Sequence, residues 1–247
     1  MKPKHRTRLV FGLAGIIAFS PATALAMHIS EGILPAPWAG LWFVLSIPFL
    51  YWGLRDLRLR SERSPEIKPM IGLVGAAVFI ISCMPIPVPT AGTCSHPCGT
   101  GLAAILIGPS LTVVVTSVAL VLQALFLAHG GLTTLGADIF SMGVAGGFVG
   151  YGVFRLARRL GASWVIAAFL AGLLSDWATY SVTSLQLASA LHGTGSAVHM
   201  FATILLAFVP TQVPLGILEG FLCVGAYKFI QTRRPELLSA LAVGGSA

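Results

Sequence analysis

Long apolar runs, separated by short polar stretches that hold nearly all the charge, decide what this chain can become. Of its 247 residues, 56% are hydrophobic and 9% are charged. Its mean hydropathy is +0.89, whereas an ordinary soluble domain is about 25% charged. Residues 38–54, 70–88, 111–128, 139–154, 163–180 and 213–230 are apolar runs of membrane-crossing size. At about 1.5 Å per helical residue, each spans most or all of a hydrocarbon core about 30 Å thick. Backbone groups in lipid must bond internally, so such runs are helices. The expected fold is an all-α polytopic membrane protein of about six to seven transmembrane helices.

Charge sets the orientation. Arg55, Arg58, Arg60, Arg63 and Lys68 follow the first run, Arg155, Arg158 and Arg159 follow the fourth, and Lys228, Arg233 and Arg234 end the last. Basic loops stay in the cytoplasm, so the C-terminus is expected inside and residues 27–37 outside. Trp38, Trp42, Tyr51 and Trp52 lie near the ends of the first run, as interfacial anchors do. Met84-Pro85-Ile86-Pro87-Val88-Pro89 should end the second helix, because proline lacks an amide donor. Residues 102–107, ended by Gly108-Pro109, are too short to cross. Yet the charge rule requires the chain to return inward there. A short or broken helix, buried by protein, satisfies both demands. Residues 184–199, with Gln186, His192 and His199, read as an outer connection. Pro210 and Pro214 divide the last apolar stretch, 197–230, so a surface-lying or kinked first part is expected before the final span. No G-x-x-x-x-G-K-[ST] motif occurs, so any ATP use belongs to another subunit.

The beginning reads as a secretory signal. Lys2, Lys4, Arg6 and Arg8 form a basic region, residues 9–19 an apolar one, and Ala24-Leu25-Ala26 a small-residue cleavage site. The expected organisation is a cleaved signal over 1–26 and one transmembrane domain over 27–247. The four basic residues of the signal supply much of the net charge of +7, so no nucleic-acid partner is implied. Cleavage after Ala26 would make Met27 the N-terminus and His28 the second residue. A free α-amine has a pKa of about 7.7–8.0 and can bind metal near neutral pH. The Met27 amine, the His28 backbone nitrogen and His28 Nδ1 would close five- and six-membered chelate rings on one ion. Planar nitrogen sites of this kind suit Ni(II) or Cu(II). The alternative is an ordinary start to a mature domain. His96, in a polar loop expected on the same face, is the candidate fourth nitrogen. His129, His192 and His199 are also expected on that side, as solvated or hydrogen-bonded side chains.

Other groups have weaker claims. Ser95-His96 lacks an orienting acid and a G-x-S-x-G elbow, which argues against hydrolase chemistry. Asp138, Asp176 and Glu219 lie within or beside apolar segments. They could carry protons or cations in a secondary transporter, or could fix helix packing through hydrogen bonds, with Thr179 and Ser181 near Asp176. Cys94 and Cys98 could form a disulfide in an exported loop or pack as unpaired thiols.

Several ordered motifs resemble the CbiM/NikM family, the substrate-capture components of energy-coupling factor importers for cobalt and nickel. They are Met27-His28-Ile29-Ser30-Glu31-Gly32-Ile33-Leu34-Pro35, Ser95-His96-Pro97-Cys98-Gly99-Thr100-Gly101-Leu102, His129-Gly130-Gly131-Leu132-Thr133-Thr134, Asp176-Trp177-Ala178-Thr179-Tyr180 and Thr211-Gln212-Val213-Pro214-Leu215. The resemblance implies a divalent ion held by Met27, His28 and His96. It implies no enzymatic activity and no resident cofactor. It also implies a transmembrane coupling subunit (CbiQ-like), ATPase subunits (CbiO-like) and a small accessory membrane subunit (CbiN-like), feeding cobalamin synthesis. Two departures, Cys98 where Thr is common and Ser30 after Met27-His28-Ile29, touch no expected ligand. Glu31-Gly32 is more like the cobalt branch, whereas planar nitrogen geometry leans towards nickel. Cobalt is the expected substrate, with nickel the alternative.

Overall fold

The computed structural model describes residues 28–84, 86–87 and 94–236. The expected signal and Met27 lie outside the described residues, as does the side chain of Cys94. The described chain is a helical bundle with one two-residue hairpin. Helix α1 spans Ala36–Arg63, with Pro35 as its N-cap and Pro37 in its first turn, where a missing amide hydrogen costs little. It does not stop at the first arginine. Residues 55–63 continue it, tied by ion pairs one turn apart, Arg60 to Asp56 at 2.8 Å and Arg58 to Glu62 at 2.9 Å.

Helix α2, Ile67–Ser82, ends before Met84-Pro85. Strand β1 (Ile86–Pro87) then pairs antiparallel with β2 (Cys94–Ser95). Helix α3, Thr100–Ile107, is the expected short segment, and nearly all of it is buried. Gly108 ends it with φ of 87°, a left-handed conformation that turns the chain into Pro109. Arg60 Nη1 donates to the Ile107 carbonyl at 3.1 Å, which caps the free end of α3 with a cation. Asp56 accepts from both Arg60 and the Ser110 hydroxyl, so this half-buried charge is paired where α1, α3 and the next helix meet.

Helix α4 is Pro109–Phe126. The next rod starts as α5, Leu135–Asp138, widens into a π-helix over Ile139–Gly146 and continues as α6, Gly147–Arg159. π-Helical stretches are rare. At the end of this one the Ser175 hydroxyl donates to the Gly146 carbonyl at 2.9 Å. Helix α7, Trp164–Leu191, starts from a Ser163 cap whose hydroxyl accepts from the Ile166 amide. It packs most extensively on α8, Ala197–Arg233. Small residues on its buried face, among them Ala168, Ala171, Gly172 and Ser175, let the neighbouring backbones approach closely.

Among the described residues, five helices are long and apolar enough to cross a membrane, and α2 is a shorter apolar helix. Outward-facing Val44, Ile47, Leu73, Leu125 and Phe229 form an apolar exterior suited to lipid. Two expectations need correction. Residues 184–191 are not part of an outer connection, because α7 runs on to Leu191 and buries Gln186 completely. Its Nε2 donates to the Ala137 carbonyl at 2.9 Å, so the polar residue joins helices. Residues 197–230 do not hold a separate surface-lying segment either. Pro210 and Pro214 lie inside one 37-residue helix, since neighbouring helices and hydroxyl side chains can support proline within membrane helices.

Candidate metal-binding site

Residues 28–34 enter one end of the bundle and are strapped down there. The Ile29 amide donates to Asp138 Oδ1 at 3.1 Å, and the Thr134 hydroxyl donates to the Ile29 carbonyl at 2.5 Å. Asp138 is thus a clamp on this strand. Glu31 accepts from the Thr133 amide at 3.2 Å, and loop hydrogen bonds hold its carboxyl below the usual carboxylate range. Gly131 is needed for this approach: a Cβ there would sit 2.7 Å from Glu31 Cα and 2.8 Å from its nitrogen.

The strap delivers His28 into contact with two other imidazoles. Ring centroids are 4.9 Å apart for His28 and His96, 5.5 Å for His28 and His129, and 6.4 Å for His96 and His129. His28 and His96 were expected to meet. His129 was not, and it joins them. His192 and His199 make no ring contact with the three, and His199 is exposed.

The hydrogen bonds of the first two rings fix their tautomers. Gln123, fully buried on α4, donates through Nε2 to the Ser82 hydroxyl at 2.7 Å. Its Oε1 therefore faces His28 Nε2, at 2.9 Å, and an amide oxygen can only accept. His28 Nε2 carries the proton and Nδ1 keeps the lone pair. His96 Nδ1 lies 2.8 Å from the Pro97 carbonyl, which can also only accept. There Nδ1 is protonated and Nε2 keeps the lone pair. Tyr180 braces this loop from both sides of the His96 backbone, accepting from its amide at 2.9 Å and donating to its carbonyl at 3.1 Å. His129 Nε2 is buried without a hydrogen-bond partner.

Burial lowers the pKa of all three rings. His28 falls from 6.5 to about 4, with the Gln123 bond opposing the shift. His96 falls well below 6.5, helped by the adjacent His28. His129 falls to about 3, from desolvation first and His28 second. Neutral imidazoles with fixed lone pairs are the form that binds transition metals, and partners on the remote nitrogens orient such ligands.

The buried carboxylates are arranged differently. Glu219 accepts from the amides of Cys98 at 2.7 Å and Gly99 at 2.9 Å, at the start of α3. Asp176 Oδ1 accepts from the Cys98 thiol at 3.7 Å. Thr179 and Ser181 do not reach Asp176, because their hydroxyls donate to the carbonyls of Ser175 and Trp177. Cys98 is a free, buried thiol.

A helical bundle of this hydropathy, with three imidazoles gathered at one end, fits one class: multi-pass cell-membrane proteins that serve as transport components for a metal ion. The family follows from comparison. Residues 28–237 match the CbiM model, described as the cobalt uptake substrate-specific transmembrane region, and the chain belongs to that family. It is 61% identical over 217 residues to the cobalt transport protein CbiM of Sorangium cellulosum, covering 88% of this chain and 96% of the relative. It is 60% identical to that of Geobacter sulfurreducens, covering 89% of this chain and 64% of that longer relative. A crystal structure of a truncated transition metal transporter superposes with a TM-score of 0.73 at 24% identity, covering 83% of this chain and 99% of that one, and shares its fold.

Proposed function

We propose that this chain is the substrate-capture component of an energy-coupling factor importer for Co(II). Cleavage after Ala26 exposes Met27. The amine of Met27, the backbone nitrogen and Nδ1 of His28, and Nε2 of His96 then hold one ion. His129 stands at the rim as an additional imidazole. The observation that carries this reading is the tautomer pair: the lone pair that Gln123 leaves on His28 Nδ1 is the one a chelate at the second residue requires, and Pro97 leaves His96 Nε2 free to complete it. Cobalt is chosen over nickel because the relatives named above are cobalt transport proteins. The ion is cargo, and the chain performs no catalysis. Release is driven elsewhere, by a CbiQ-like coupling subunit with CbiO-like ATPases, in a complex that also holds a small CbiN-like membrane subunit.

Metal analysis of the purified protein, with intact mass to locate its N-terminus, tests the proposal. One tightly held Co(II), lost in His28→Ala and in His96→Ala but retained in His199→Ala, is expected. Cobalt binding indifferent to His28 and His96 overturns it. Competition between Co(II) and Ni(II) on the same sample decides the metal.

A further inference from the structure

Beneath the histidines lies a second group of ligating side chains. Cys98 Sγ and carboxylate oxygens of Asp176 and Glu219 lie within 4.8 Å of one another, and all three residues are buried. Asp176 is completely buried, yet its Oδ2 has no hydrogen-bond partner. Capping the start of α3 needs only Glu219, which already accepts the amides of Cys98 and Gly99. It leaves unexplained a fully buried aspartate whose second oxygen has no hydrogen-bond partner, an arrangement that is costly unless something binds there.

We infer that Cys98, Asp176 and Glu219 form an inner station for the transported divalent cation, one step deeper than the histidine chelate. The ligand chemistry fits: a thiolate and two carboxylates bond borderline cations at about 2.0–2.3 Å, and small side-chain rotations bring atoms 4.8 Å apart to one ion. Glu219 retains lone pairs beside its two amide bonds, since each carboxylate oxygen accepts more than once. The ion enters as protons leave the thiol and the carboxyls for water.

The placement connects the two stations. His96 and Cys98 flank Pro97 on one loop. Tyr180 holds His96 by its backbone, and Asp176 lies one turn away on the same helix, α7. Glu219 anchors the Cys98 end of the loop to α8. A shift of α8 against α7 would therefore move both stations together, drawing His96 from the outer chelate as it changes the inner one.

This rests on the capture reading, and cobalt absorption spectroscopy on the purified full chain separates the two. Saturating Co(II) should produce a second bound equivalent with thiolate-to-cobalt charge-transfer absorption. That band should disappear in Cys98→Ser and persist in Cys83→Ser. In the double variant His28→Ala/His96→Ala the outer ion is lost and the thiolate band remains. Asp176→Asn, which preserves shape, should weaken the second equivalent about tenfold or more, and serves as the test if Cys98→Ser does not purify as a folded protein. No thiolate band at any cobalt concentration, or a band unaffected by Cys98→Ser, overturns the inner station. An outer ion indifferent to His28 and His96 overturns the capture reading instead.

Discussion

In the proposed chelate Gln123 does not touch the ion, yet it decides which nitrogen of His28 can. Its Oε1 takes the proton-bearing Nε2 at 2.9 Å, and its own amide is held by Ser82 at 2.7 Å. Gln123→Leu removes the acceptor. The His28 ring can then protonate either nitrogen and can rotate, and Nε2 loses its partner in a buried site. Outer partners of metal-binding histidines contribute about 10–100-fold in affinity, or roughly 1.4–2.8 kcal/mol. Gln123→Glu is the control, because a carboxylate still accepts from Nε2 and can accept from Ser82. Cobalt affinity measured by competition with a chelator should fall about 10–100-fold in Gln123→Leu and stay near wild type in Gln123→Glu. Nitrogen NMR of the His28 ring should show Nδ1 unprotonated in wild type and a tautomer mixture in Gln123→Leu. Unchanged affinity in Gln123→Leu, or a wild-type ring protonated on Nδ1, would refute the tautomer argument.

Three further outcomes are expected. Tyr180→Phe frees both backbone bonds of His96 and should weaken cobalt binding about tenfold, by analogy with other orienting partners, in the same competition assay. Gly131→Ala drives a Cβ into the backbone of Glu31, so proteolysis near residues 28–34 should accelerate and cobalt binding should drop. With pH, the native fold keeps His28 neutral down to about 4, while an unfolded chain protonates it near 6.5. The stability from this ring is full above pH 6.5 and is lost as pH falls towards 4. The metal-free melting temperature should decline across that window, and a His28→Gln variant should show a shallower decline.

Some of this was legible in the sequence, and particular residues show why the rest was not. Residues 102–107 lie between Gly99 and Gly108-Pro109, and charge parity required a turn back there, so the buried short helix α3 was readable. The meeting of His28 and His96 was readable because charge parity placed both loops on one face. His129 was not, because a lone loop histidine has no periodicity to place it. The signal lay in its neighbours: Gly130, with φ of 82°, and Gly131, pressed against Glu31, mark a loop that another backbone approaches. Ser184 and Gln186 looked like loop residues because polarity was read as exposure. Inside a bundle such side chains bond to backbone, as Ser184 does to the Tyr180 carbonyl at 2.8 Å. Pro210 and Pro214 do not end α8, because neighbouring helices can support a proline that would break an isolated helix.

The most direct test of the central claim is to insert one alanine between Ala26 and Met27 and measure bound cobalt on protein whose start is verified by intact mass. Wild type should begin at Met27 and hold cobalt at the histidine chelate. The inserted variant, with its amine displaced and His28 at the third position, should lose that ion. Equal affinity and stoichiometry in the two correctly processed proteins would contradict the claim.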